Sequence, residues 1–106
     1  VTEPAAPDPA REYAQALSRT LPDAVESVFL FGSRSIGDYR EDSDYDVAVF
    51  LRRRDLVKTH WRAVVDASYP FVERGFDLRP LVLWTERWSE ESDLMAHIRR
   101  HGLRLA

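Results

Sequence analysis

The chain has 106 residues, 15 basic and 18 acidic, with a formal net charge of −3 and no cysteine. That length is one domain, large enough to bury a core without staples. The missing thiols exclude disulfides and thiolate zinc sites, the acidic balance argues against direct nucleic-acid binding, and no apolar run approaches the ~20 residues that cross a bilayer.

Residues 1–9 carry Pro4, Pro7 and Pro9 among alanines and acids, the composition of an extended or disordered segment before a domain over residues 10–106. No basic region leads into an apolar stretch, so no secretory leader is read and the expected location is cytoplasmic. Asp8 and Pro9 suit a helix cap and a first helical position. Tyr13, Ala14, Leu17 and Leu21 then form an apolar face that Pro22 stops.

Residues 27–31 read as a first strand, apolar on both faces and therefore buried on both. Gly32 and Ser33 follow as a turn, and residues 38–43 as a polar loop. Residues 44–51 form a second strand. Asp44, Asp46, Ala48 and Phe50 line one of its faces, and Tyr45, Val47, Val49 and Leu51 the other. Asp44 and Asp46 then stand ~7 Å apart along the chain. Carboxylates about 5 Å apart repel by roughly 3 kcal/mol at an effective dielectric near 20. A cation between them relieves this, and an all-oxygen pair suits a hard divalent ion. Gly32 permits a sharp turn and a close ligand approach, and Ser33 adds a hydroxyl and an amide where free N–H groups attract phosphate. Ser33 equally suits a plain helix cap. A phosphate turn facing a metal-holding acid pair describes a nucleoside triphosphate site.

Asp55 is placed as the cap of a helix running to about residue 69 and ended by Pro70. Its packing stripe is Val57, Trp61, Val64, Val65 and Ser68, with Trp61 in the core. Residues 71–75 connect to a third strand over residues 76–83, which Pro80 confines to an edge or a bulge. Asp77 opens that strand, and Arg79 shares its face, free to neutralise Asp77 or to bind phosphate. Trp84 and Trp88 are read as a sheet-end cover or as a partner or stacking surface. Ser89 and Ser92 are alternative caps of a last helix that Gly102 ends. His60, His97 and His101 are not read as a cluster.

A helix joins strands two and three, which favours a parallel right-handed crossover. Asp77 then starts beside Asp44 and Asp46, and an antiparallel first strand ends at the same rim. The expected fold is α/β (α+β), a three-stranded mixed sheet of order 1-2-3. Its helices pack on one face, and the carboxylate face is left open.

Gly32-Ser33, ten residues and then Asp44-x-Asp46 resembles the signature of the minimal nucleotidyltransferases of the DNA polymerase beta-like superfamily. Gly32, Ser33, Arg34, Gly37, Ser43, Asp44, Asp46, Val47 and Val49 meet the fuller pattern. Asp77 matches the family's third carboxylate, and the Ile98-to-Leu105 segment resembles the one that closes many of these domains. The sequence departs where the family often has alanine and arginine (here Ser35 and Ile36) and glutamate (here His101). The resemblance implies a polymerase beta-like fold with Asp44, Asp46 and Asp77 as catalytic Mg²⁺ ligands. It also implies Gly32, Ser33, Arg34 and Ser43 at the nucleotide phosphates, with ATP as substrate. Stand-alone members are often antitoxins that adenylylate a tyrosine of a HEPN-domain RNase toxin, which implies a hetero-oligomer. So short a chain is expected to act on a protein acceptor rather than enclose a small one. A catalytically inactive module that neutralises its partner by contact is the alternative.

Overall fold

The computed structural model describes residues 8–106. Residues 1–7 of the expected N-terminal segment fall outside them, while Asp8 caps the first helix and Pro9 opens it. Helix α1, Pro9–Thr20, starts where the Asp8 carboxylate accepts the Arg11 N–H at 3.1 Å. Strands β1 (Val25–Phe31) and β2 (Tyr45–Leu51) pair antiparallel, with Phe31 opposite Asp46 and Val28 opposite Val49. Helices α2 (Asp55–Asp66) and α3 (Tyr69–Glu73) lead to β3 (Leu78–Trp84), parallel to β2 with Asp46 opposite Arg79. A 3-10 turn at Thr85–Ser89 precedes α4, Asp93–His101, which Ser92 caps by accepting the Met95 N–H at 3.2 Å.

The sheet has four strands rather than three, in the order β3-β2-β1-β4. The added β4, Leu103–Arg104, pairs antiparallel outside β1, with Phe29 opposite Arg104 and Leu30 opposite Leu103. Two residues are too few for a periodic signal, so this strand follows from docking beside β1 rather than from propensity. The order of the other three strands holds, and Pro80 sits on the edge strand β3, where its missing N–H leaves no gap in the ladder.

The helices cover both faces, not one. The first layer joins Val28, Val47, Val49, Leu51 and Leu78 to Tyr13, Leu17, Val64 and Phe71 from α1, α2 and α3. Fully buried Tyr13 donates its hydroxyl to the Val64 carbonyl, tying α1 to α2, and burial pushes its phenol pKa up. The second layer lies on the carboxylate face, where Ala48, Phe50 and Leu83 meet Met95 and Ile98 of α4. Trp88 packs there on Phe29 and Phe50, with ring centroids 5.0 and 5.6 Å away. Even-numbered residues of β2 that point away from α1 therefore need cover, which α4 and Trp88 supply at Ala48 and Phe50.

The second helix also departs from the reading. It ends at Asp66, and Pro70 lies in the first turn of α3, where no amide is needed, instead of ending a helix. Asp55 is the first helical residue, not the cap, and its carboxylate pairs with Arg53 at 3.1 Å. The inward side of α2 carries Leu56, Val57 and Val64, with Ala67 just past its end, which leaves Trp61 46% exposed under the Arg62 guanidinium.

Candidate active site

The site begins at the bend after β1. The turn Gly32–Arg34 leaves the strand with Gly32 at φ 77°, a conformation that costs an L-residue energy. Glycine is needed twice there: a methyl group added at Gly32 would collide with Asp46 Oδ2. Because Phe31 lies opposite Asp46 in the ladder, the bend carries the backbone over the Asp46 carboxylate. The Gly32 N–H donates to His97 Nε2 at 3.1 Å, so α4 also reaches the rim.

Asp44 and Asp77 stand just before β2 and β3, brought side by side by the parallel pairing. The Tyr45 N–H donates to the Asp77 carbonyl at 2.8 Å, one step ahead of the ladder. Their carboxylates share one cation. Arg79 Nη1 lies 3.1 Å from Asp44 Oδ2, while its Nε and Nη2 hold both oxygens of Asp77 at 3.1 and 3.0 Å. The three sequence-predicted acids thus gather at one rim with a guanidinium among them. Among the described residues, no three acid or histidine side chains stand in a metal-holding group. Asp46 lies against Gly32, and Arg79 occupies the space between the other two.

The electrostatics follow from that crowding. The Asp44 carboxyl is raised, first by its hydrogen bond with Asp77, against the lowering effect of Arg79. Asp77 is held below the usual carboxylate range, first by the Arg79 fork and then by Asp44. Held so, Asp77 is a weak base. Asp46 is raised chiefly by burial, with Asp77 adding to it and Arg79 and His97 opposing it. The three acids therefore compete for positive charge, and Arg79 supplies one unit of it.

Arg34 and Ser43 do other work in this geometry. The Arg34 guanidinium lies 3.7 Å from the Tyr45 ring centroid and 4.7 Å from that of Tyr39. Its nitrogens donate to the carbonyls of Ser43 at 3.0 Å, Arg40 at 3.3 Å and Glu41 at 3.0 Å. The Ser43 hydroxyl accepts the Arg40 N–H at 2.8 Å. Arg34 and Ser43 thus close the polar loop that delivers Asp44, on the Tyr45 side of the sheet and away from the acids. Ser33 is half-buried within the turn, where its carbonyl accepts the Asp38 N–H at 3.1 Å.

His97 is the site residue that the sequence reading misses. It packs edge-on to Phe31 and lies 5.3 Å from His101 between ring centroids, so two of the three histidines do meet. Their i, i+4 spacing on a helix was the available signal. Nothing in the sequence showed that this helix lies over the carboxylate face.

The chain resembles known proteins. Putative protein adenylyltransferase MJ0141 of Methanocaldococcus jannaschii is 29% identical over 72 residues, 68% of this chain and 73% of that one. A solved structure described as the crystal structure of the toxin-antitoxin with AMP-PNP superposes with a TM-score of 0.58 at 20% identity. It covers 91% of this chain and 72% of that one, and establishes likeness of fold. Residues 10–94 match the family described as Nucleotidyltransferase domain, to which this chain, with its minimal-type Gly-Ser bend and paired aspartates, belongs.

Proposed function

We propose that this chain is an adenylyltransferase that moves AMP from ATP to a side chain on a protein partner. The observation that carries this reading is the meeting of the Gly32-Ser33 bend with Asp44, Asp46 and Asp77 at one rim. Affinity for phosphate and for cations then lie side by side, as a metal-bound triphosphate requires. The donor set is all oxygen, and a cationic side chain already lodges between Asp44 and Asp77. Asp44 and Asp46 would hold Mg²⁺, with Asp77 as the third ligand. Bound there, Mg²⁺ would neutralise triphosphate charge and lower the pKa of an attacking hydroxyl. Ser33 and the turn amides hold the terminal phosphates. The acceptor oxygen bonds to the α-phosphorus, the bond from that phosphorus to the β-phosphate oxygen breaks, and pyrophosphate leaves. The hydroxyl proton passes to a carboxylate of the rim.

Asp77 and Arg79 lie on the surface, so the rim is open to an acceptor carried by another macromolecule. The name of the archaeal relative and the description of the structural neighbour support a protein acceptor and a toxin–antitoxin setting. We take the partner to be a HEPN-domain RNase toxin modified on tyrosine in the cytoplasm. The experiment is co-expression with such a toxin, followed by mass spectrometry of the purified partner. AMP-sized additions that vanish with Asp44→Ala plus Asp46→Ala support the enzyme, and their absence from an active-toxin co-expression refutes it.

One observation favours a second reading, a module that neutralises its partner by contact. Arg79 already satisfies two of the three acids, as a retired metal site would. A partner that is bound and silenced but carries no AMP would support that reading.

A further inference from the structure

We propose that Arg79 is an exchangeable counter-charge of the acid rim, which leaves Asp44 and Asp77 for the phosphates when metal-bound triphosphate enters. The inference rests on the adenylyltransferase reading and adds to it a residue that governs the order of loading. All three guanidinium nitrogens of Arg79 are committed to Asp44 and Asp77, at 3.0 to 3.1 Å. A guanidinium does not lose its proton in a protein, so it cannot vacate the acids by titrating. A divalent ion using Asp77 together with Asp44 therefore has to displace it.

The displacement is cheap. The Arg79 side chain is 61% exposed, and ion pairs that face water are weak. Its backbone lies on the edge strand β3, directly opposite Asp46, so the side chain can swing across the mouth of the site without disturbing either core layer. The planar fork that grips a carboxylate grips a phosphate equally well. Triphosphate arriving over Asp46 and the Gly32 bend comes within reach of the same side chain. The acids are thus balanced by Arg79 when the site is empty, and by the metal when nucleotide is bound.

The test uses the full chain, with Mn²⁺ as probe and its free paramagnetic resonance signal as readout. Without nucleotide, Arg79→Met is expected to bind Mn²⁺ about tenfold more tightly than the wild type, because a like charge has been removed from the site. In saturating Mn²⁺, the same variant is expected to bind the non-hydrolysable analogue AMP-PNP about tenfold more weakly, having lost a phosphate partner. Thermal denaturation confirms that each variant folds. Measurable Mn²⁺ binding that is unchanged or weaker in Arg79→Met overturns the proposal, as does tighter Mn²⁺ binding with unchanged AMP-PNP affinity, which marks a static block. A gain that survives Asp44→Ala plus Asp46→Ala places the ion elsewhere and also overturns it. Folded wild type and Arg79→Met that both ignore Mn²⁺ refute the metal-site reading itself, an outcome distinct from the others.

Discussion

Gly32→Ala tests whether the phosphate bend and the metal acid are one mechanical unit. The substitution places a Cβ on a residue at φ 77° and drives it into Asp46 Oδ2. The backbone conformation alone costs an L-residue about 1–2 kcal/mol. Moving the half-buried Asp46 carboxylate off its preferred rotamer adds roughly 0.5–1.5 kcal/mol. Together these come to about 2–3 kcal/mol, or a fall in Tm of roughly 10–20 °C for a domain of this size. Gly37 provides the control. It has φ 79°, but an added Cβ there meets nothing within 4 Å. Gly37→Ala should therefore cost only the backbone term, about 1–2 kcal/mol. Thermal denaturation of both variants, and of Gly32→Ala combined with Asp46→Ala, separates the terms as a double-mutant cycle. Pyrophosphate release then reads the chemistry, where displacing a catalytic group by about 1 Å costs on the order of 100-fold. Equal losses of stability at the two glycines, with no coupling to Asp46, would refute the reasoning.

Asp46→Asn should abolish transfer yet stabilise the metal-free protein by about 0.5 kcal/mol, roughly 2–4 °C in Tm. The sign follows from burial, which raises the Asp46 pKa above its unfolded value, so the ionised form opposes folding. Wild-type stability relative to Asn should improve as pH falls through the raised pKa, and the gap should be widest near neutrality. A gap that does not move with pH contradicts this assignment. His97→Leu should cost about 1 kcal/mol, roughly 4–8 °C, by leaving the Gly32 N–H unpaired, while His97→Gln restores an acceptor and most of the loss. Identical Leu and Gln variants would remove the positioning role. Arg34→Met should leave Tm nearly unchanged but speed amide exchange across residues 38–43 and cut turnover on the order of 100-fold through a displaced Asp44. If the KM for ATP rises while exchange is unchanged, Arg34 acts on phosphate and not on the loop.

How much of the fold was legible depends on the range of the signal. Strand parity is local, and it placed Val47, Val49 and Leu51 in one layer and Asp46 in the other. The parallel β2–β3 pairing followed from the helical crossover between them, and the edge position of β3 from Pro80. Strand β4 has no pattern of its own and exists because β1 offers an unpaired edge. The cover on the carboxylate face depends on where α4 docks. Met95 and Ile98 show that α4 has an apolar side, but the choice of sheet face belongs to the whole topology. Trp61 was misjudged for a similar reason: a stripe read from spacing has a width, and packing selects which edge of it turns inward.

For the candidate site the division is chemical. Residues fixed by backbone requirements, Gly32 above all, could be read from the chain because few alternatives satisfy a bend at positive φ. Residues whose work depends on a long flexible side chain could not. Arg34 follows the glycine-serine pair and invites a phosphate role, yet its Nε and Nη2 find three loop carbonyls within reach and its plane finds two tyrosines. Arg79 was visible as a neighbour of Asp77 two residues away, but its bond to Asp44 crosses strands and exists only in this register. A slip of one residue would turn the Arg79 side chain to the opposite face, and with it the charge that balances the rim. The β2–β3 register is therefore part of the site, and a substitution that shifts it, such as a bulge placed between Leu78 and Pro80, should disable the acids without touching one of them.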